Sequence, residues 1–308
     1  MLDPSRFSFS STVWGTMGAI LALCVTVAVP SLDAQEPGPY SGKVALVTGS
    51  TGGLGREVAL RLGSMGAHVI VHGRNHERGM AVVEEIEEEG SGTARFYAAD
   101  LASFDQVRAF AEAVLRDYDR LDLLVNNAGI GSAPRERVLT QDGHELRFQV
   151  NYLSGYLLTR MLLPRLVSSA PARIVNVSSA AQTPIDFDDV MIEKDFSGGR
   201  AYAQSKLAQI MFTFDLADEL EGQGVLVNAL HPATYMDTGM VRRAGVEPRT
   251  TVDEGADAVM QLIVSPDVGS GGYYNGLRVA RANAQAYDED ARARLRRLSE
   301  ALTGAGDG

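Results

Sequence analysis

The chain has 308 residues, 45% of them hydrophobic and 22% charged, a composition that suits a globular protein with a sizeable core. Its formal net charge of -11 leaves no basic excess to neutralise phosphates, so nucleic acid is not an expected partner. The single cysteine, Cys24, excludes a disulfide framework, and the five histidines His68, His72, His76, His144 and His231 lie without ligand spacing, so no metal is expected.

From Val13 to Val29 the sequence VWGTMGAILALCVTVAV runs without a charge. That length falls between a signal-peptide core and the roughly 20 residues that span a bilayer. Ala34 could close a weak cleavage pattern, and Arg6 is the sole cation upstream. A secretory signal, an uncleaved anchor and a misassigned start stay open, and residues 1–39 are set apart from a domain at 40–308.

After Tyr40, short β-rich runs alternate with amphipathic ones of helical length. The spacing predicts strands at 43–49, 68–73, 94–100, 121–129, 172–179 and 225–232. It predicts helices at 54–66, through Glu89, at 104–118, 139–167 and 200–222, and again where leucines recur at helical spacing in ARARLRR (291–297). Strands alternating with helices imply βαβ crossovers, and hence an α/β fold with one doubly wound parallel sheet of Rossmann type, covered by helices on both faces. Ligands of such sheets bind beyond the carboxyl ends of the strands, where the strand order reverses.

The motifs fall at those ends. TGSTGGLG closes the first strand and opens directly into a helix, with Thr48, Gly49, Ser50, Thr51, Gly53, Leu54 and Gly55 on the turn. Glycines let the backbone approach a pyrophosphate, and the helix N-terminus offers free N–H groups to it. The second strand ends in VHGRN, with Arg74 and Asn75 where a site selective for NAD places a carboxylate, which favours NADP as cofactor over NAD. Asp100 and Leu101 close the third strand, where Asp100 can meet an adenine edge or serve simply as a turn residue. Asn127, Ala128 and Gly129 of NNAG end the fourth and can line the cofactor.

In AYAQSKLAQI a tyrosine stands four residues before a lysine, so Tyr202 and Lys206 are neighbours on one helical face. Alone, that spacing recurs by chance, with the tyrosine packed and the lysine solvated. Together with TGSTGGLG, NNAG and VNVSS, in this order and spacing, it resembles the short-chain dehydrogenase/reductase family over residues 41 to 305. RFQVNYLSGYLLT (147–159), the long gap between Ser179 and Tyr202, and the C-terminal sequence are similar to its retinol-dehydrogenase-like branch. The resemblance implies catalytic roles for Asn151, Ser179, Tyr202 and Lys206, with Asn151 holding a water and Lys206 also holding the nicotinamide ribose. It places Pro232 and Thr234 against the nicotinamide. Here HPATYMDTG departs from the family, with Ala233 for the usual glycine and one residue more before its second threonine, so Thr238 stands beside Thr234 as a candidate.

Hydride transfer to a carbonyl needs a proton for its oxygen from a group titrating near the working pH. Free tyrosine titrates near 10, and an ammonium about 4 Å away favours the phenolate, so Lys206 is expected to bring Tyr202 toward neutrality. Ser179 can hydrogen-bond the substrate oxygen as charge develops. The expected function is an NADP-dependent oxidoreductase acting on an alcohol or carbonyl, lipophilic by the branch resemblance, with a substrate lid near 234–255. A dinucleotide-binding redox sensor without turnover is the alternative, and an epimerase fits the glycine turn less well. The expected partner is a small-molecule substrate, with homo-oligomerisation left open. Because a nicotinamide enzyme needs the cytosolic cofactor pool, membrane association through residues 13–29 with a cytosolic domain is favoured over export.

Overall fold

The computed structural model describes residues 10–11, 38–131 and 136–305. Contacts divide the chain after Glu36, and the fold below is that of the second unit, Pro37–Gly308. In chain order the elements are β1 (Val44–Val47), α1 (Gly53–Ser64), β2 (His68–Gly73), α2 (His76–Glu89), β3 (Thr93–Ala98), α3 (Phe104–Asp117) and β4 (Leu123–Asn126). A short α4 (Leu146–Phe148) runs through a π-helical stretch (Gln149–Leu153) into α5 (Ser154–Ser168). Then follow β5 (Ala172–Val177), α6 (Gly198–Glu219), β6 (Val225–His231), α7 (Gly239–Arg243), α8 (Val252–Val264), β7 (Gly272–Asn275), β8 (Arg278–Val279), a 3₁₀ turn (Ala284–Tyr287) and α9 (Glu289–Thr303).

The sheet order is β3-β2-β1-β4-β5-β6-β7-β8, parallel except for the last pair. Strand side chains alternate between two apolar layers. Val44, Leu46 and Ile70 join Val107, Leu157, Leu207 and Leu295 from α3, α5, α6 and α9 on one face. Ala45, Val47 and Val71 join Val58, Ile86 and Leu262 from α1, α2 and α8 on the other. Burial on both faces explains why these strands read as continuous apolar runs. The helices start where polar side chains cap them: Asn75 accepts from the Arg78 amide (2.8 Å), and Thr251 with Glu254 forms a capping box on α8.

The six expected strands and the two-faced cover are present. The hairpin β7–β8 was not among the expected elements, because its strands have only 4 and 2 residues and are set among glycines, Gly276 at φ 56. The helix expected from 139 begins instead at Leu146, since Gly143 at φ 83 turns the preceding residues into a bridge between Leu139 and Glu145. The expectation of membrane association, and of the location that rested on it, is corrected. Residues 13–29 lie outside the described residues, and among the described residues no helix is long and apolar enough to cross a membrane.

Candidate active site

The strand order reverses between β1 and β4, and the loops leaving those two strands are tied to each other. Thr48 Oγ1 accepts from the amides of Asn127 and Ala128, both at 3.0 Å, and Asn127 Nδ2 donates to the Thr48 carbonyl (2.9 Å). Gly49 and Gly53 adopt φ of 67 and 55, conformations that L side chains rarely take. A Cβ on Gly55 would collide with the Asn127 amide and the Gly49 carbonyl. Gly55 is therefore needed for close packing of α1 on the turn. The first residues of α1 receive no side-chain cap, whereas α2, α3, α6, α8 and α9 each do, so the amides at this helix start keep free donors facing the crevice.

The side chains of Ser50 and Leu54 are committed elsewhere. Ser50 Oγ accepts from the His72 amide (2.9 Å) and donates to the Val47 carbonyl (2.8 Å), while Leu54 joins the core. His72, which the motifs did not single out, accepts the Gly49 N–H on Nδ1 at 3.1 Å and stacks on Phe110 with ring centroids 4.8 Å apart. Burial pulls its pKa down to about 4, so the imidazole is neutral and able to hold the glycine turn.

At the ends of β2 and β3, Arg74 is 71% exposed and lies 3.6 Å from Asp100. Beside it, a Cβ on Gly73 would meet the Thr51 side chain, so this floor is closed by Thr51. Asn75 caps α2 and Asp100 accepts from the Ala102 amide (3.0 Å). Leu101 turns into the core, and its carbonyl accepts from Ser154 (2.6 Å).

Four residues gather at the carboxyl end of β5. Tyr202 and Lys206 lie one turn apart on α6, and Ser179, just beyond β5, stands near enough to the Tyr202 side chain to act on its hydroxyl, while Ser179 Oγ accepts from the Ala181 amide (3.1 Å). Tyr273 of β7 (3.0 Å) and Gln182 (3.0 Å) both donate to the Ser179 carbonyl, which fixes the loop that carries its hydroxyl. Ser178 Oγ donates to the Lys206 carbonyl at 2.7 Å and so ties β5 to α6. Asn151 lies in the π-helical stretch. It accepts from the Ile130 amide (2.8 Å) and donates to the Ile130 carbonyl (3.1 Å) and to Ser205 (2.9 Å). Its side chain thus clamps the loop after NNAG, and it makes no bond to Lys206.

The charge relation between tyrosine and lysine differs from the expectation. Lys206 Nζ donates to the Val177 carbonyl and to Gln209 Oε1, both at 2.8 Å, and stands 5.8 Å from the Tyr202 ring centroid. Burial dominates both groups. It raises the Tyr202 phenol, against a lowering by the neighbouring Ser179, and brings the Lys206 ammonium down to about 7. In this arrangement Tyr202 is protonated at neutral pH, ready to donate.

Beyond β6, His231 Nε2 pairs with Thr234 Oγ1 (3.0 Å), and the Thr234 carbonyl accepts from Thr250 (3.0 Å). Thr238 caps α7 and stands against Gly53, where an added Cβ would lie 3.4 Å from its methyl group. Met240 approaches Gly131 in the same way. The two threonines left open by the sequence thus differ: Thr234 is held beside β6 and Thr238 stands over the glycine turn. Arg147, Gln182, Gln209 and Tyr273 also brace this region, although none was singled out as a site residue: Arg147 and Gln209 are buried in helices, Tyr273 is on a late strand and Gln182 is in a loop.

The short chain dehydrogenase family model matches residues 43–248. Human retinol dehydrogenase 13 is 36% identical over 97% of this chain and 96% of its own length. A metagenomic short-chain oxidoreductase in complex with NADP superposes with a TM-score of 0.60 at 31% identity, covering 75% of this chain and 95% of the other. The NADP active-site complex of RhlG from Pseudomonas aeruginosa gives 0.62 at 28% identity, over 76% and 94%.

Proposed function

Because the chain belongs to the short-chain dehydrogenase family, we propose that it is an NADP-dependent oxidoreductase moving hydride between a nicotinamide and an alcohol or carbonyl carbon. The observation that carries this reading is the meeting of Ser179, Tyr202 and Lys206 at the end of β5, next to a glycine turn shaped for a pyrophosphate. The crevice fits a dinucleotide: Gly55 has no room for a side chain, the α1 start is uncapped, and Arg74 rather than an acid follows β2. Nicotinamide, when bound, supplies or accepts the hydride.

The chain's own residues supply the rest. Gly49, Gly53, Gly55 and the α1 amides bind pyrophosphate, and Arg74 pairs with a 2′-phosphate. Asn127, Ala128, Gly129, Pro232 and Thr234 border the nicotinamide half. Ser179 donates to the substrate oxygen, and Tyr202 delivers a proton to it, or withdraws one in the oxidative direction. Lys206 holds the ribose hydroxyls by its ammonium. The relatives named as retinol dehydrogenases, with Tyr235, Met236 and Met240 in the segment 234–255, favour a lipophilic alcohol, aldehyde or ketone beneath that segment as lid.

A sensor without turnover would keep the crevice and dispense with a proton donor, and the buried Tyr202 beside Ser179 favours the enzyme. A panel of aliphatic, retinoid and steroid carbonyls, followed by NADPH absorbance, tests the proposal. Oxidation of NADPH with at least one lipophilic carbonyl is expected. Tight NADPH binding without turnover on any of them would favour the sensor instead.

A further inference from the structure

Lys206 is buried to 4% exposure, and no carboxylate touches it. An ammonium has three N–H donors and no acceptor. Two of these are taken by the Val177 carbonyl and by Gln209 Oε1, at 2.8 Å each. The amide of Gln209 must turn its oxygen to the lysine, since its nitrogen would oppose donor to donor. Nζ also borders Gly129, whose added Cβ would lie 3.5 Å from it, so the third donor is left on the side of the NNAG loop.

Gln209 is itself held. It is 4% exposed and follows Lys206 by three positions on α6, so Tyr202, Lys206, Gln209 and Thr213 form one stripe. Thr213 Oγ1 donates to the Gln209 carbonyl (2.8 Å) and accepts from Asn176 Nδ2 (2.8 Å). Asn126 Nδ2 in turn donates to Asn176 Oδ1 (2.9 Å), so a buried polar chain runs from the end of β4 to the main chain of α6 at Gln209.

We propose, resting on the reading of the preceding subsection, that Gln209 is a positioning residue that anchors the Lys206 ammonium. Its carbonyl oxygen and that of Val177 fix two N–H groups and leave the third to the ribose side of the cleft. A neutral amide suits this task. It stabilises the charged lysine without the strong competing pair that a carboxylate would form. Tyr202 is the one titratable side chain that the described residues place against Lys206, and α6, β5, the π-helical stretch and the NNAG loop otherwise present Gln209, Val177, Ser178, Asn151 and Gly129. Removing the Gln209 oxygen therefore lowers the pH at which Lys206 loses its proton, and replacing it with a carboxylate raises that pH.

The lysines of the whole chain are Lys43, Lys194 and Lys206 alone, so NMR of the full protein labelled with ¹³C-lysine resolves the titration of Lys206 directly. The experiment compares wild type, Gln209→Met and Gln209→Glu, with Lys43 and Lys194 as internal controls. Relative to wild type, the Lys206 midpoint is expected to fall by about one unit in Gln209→Met and to rise by about one unit or more in Gln209→Glu. The pH limit of NADPH affinity is expected to move with it. Midpoints that stay within a few tenths of wild type in both variants, or that move in the same direction, would overturn the proposal; mere loosening of the helix cannot produce opposite shifts. The NMR titration needs no cofactor. Variants that show these shifts beside a wild type that binds no NADPH would instead contradict the proposed function.

Discussion

Lys206 illustrates how a side chain proposed to serve chemistry can cost stability. Burial holds it near 7, against 10.5 for an ordinary lysine, so between those values the unfolded chain binds more protons than the folded one. Stability from this group is fully present above 10.5 and is lost as pH falls to about 7. Lys206→Met should therefore raise the melting temperature at pH 7 more than at pH 10, while abolishing turnover and weakening NADPH; thermal melts at the two pH values check this. Equal shifts at both would show that the folded lysine stays charged well above pH 7. Arg74 acts at the surface, where salt and Asp100 compete for it. Arg74→Ala should weaken NADPH by about 10- to 100-fold and hardly affect NADH. Equal losses measured by titration with each cofactor would remove its phosphate role. Tyr202, Lys206 and Arg74 were legible in the sequence because they stand in motifs at strand or helix ends. The direction of the Tyr202 shift was not legible, because it depends on where Nζ is aimed, and two carbonyl oxygens aim it.

Among elements, the turn from β1 to α1 depends on β2 as well as on its own glycines. His72 of β2 accepts the Gly49 N–H only when neutral, and its folded pKa of about 4 lies below the ordinary 6.5. The unfolded chain takes up this proton first as pH falls, so stability declines from about 6.5 to about 4. His72→Gln, which leaves nothing to protonate, should flatten that part of the stability profile in denaturant titrations. An unchanged acid slope would mean that other groups set it. Gly55→Ala should cost about 1–3 kcal/mol by overpacking against Asn127 and Gly49, and should lose NADPH binding with it. Gly55 announced itself by spacing, but His72 did not. A histidine inside a buried strand carries no periodic signal, and only the sheet register sets it beside the turn. β7 escaped notice for a related reason: a strand of 4 residues between glycines is too short to show a period, yet Tyr273 on it braces Ser179.

For the molecule as a whole, the alternation of β-rich and amphipathic segments already implied two apolar layers around a parallel sheet, and the strand ends told where the crevice would lie. What the pattern could not supply is the set of contacts that cross the sheet end, such as Thr238 against Gly53 and the polar chain from Asn126 to Gln209. Those depend on loops whose course is decided by packing. Ligand binding should register on this whole fold. At a hundred times its dissociation constant, NADPH stabilises by about 2.7 kcal/mol, and NADH at the same concentration should stabilise less. Thermal shifts measured with both cofactors side by side check that order, and a larger shift with NADH would reverse the cofactor assignment.

On the proposed function, Tyr202 delivers the proton while the crevice independently holds the cofactor. The most direct test is Tyr202→Phe, compared with wild type for NADPH affinity and for turnover of an active carbonyl in the same preparation. Affinity within a few-fold of wild type and turnover reduced to background are expected. Turnover retained in the phenylalanine variant would contradict this role of Tyr202.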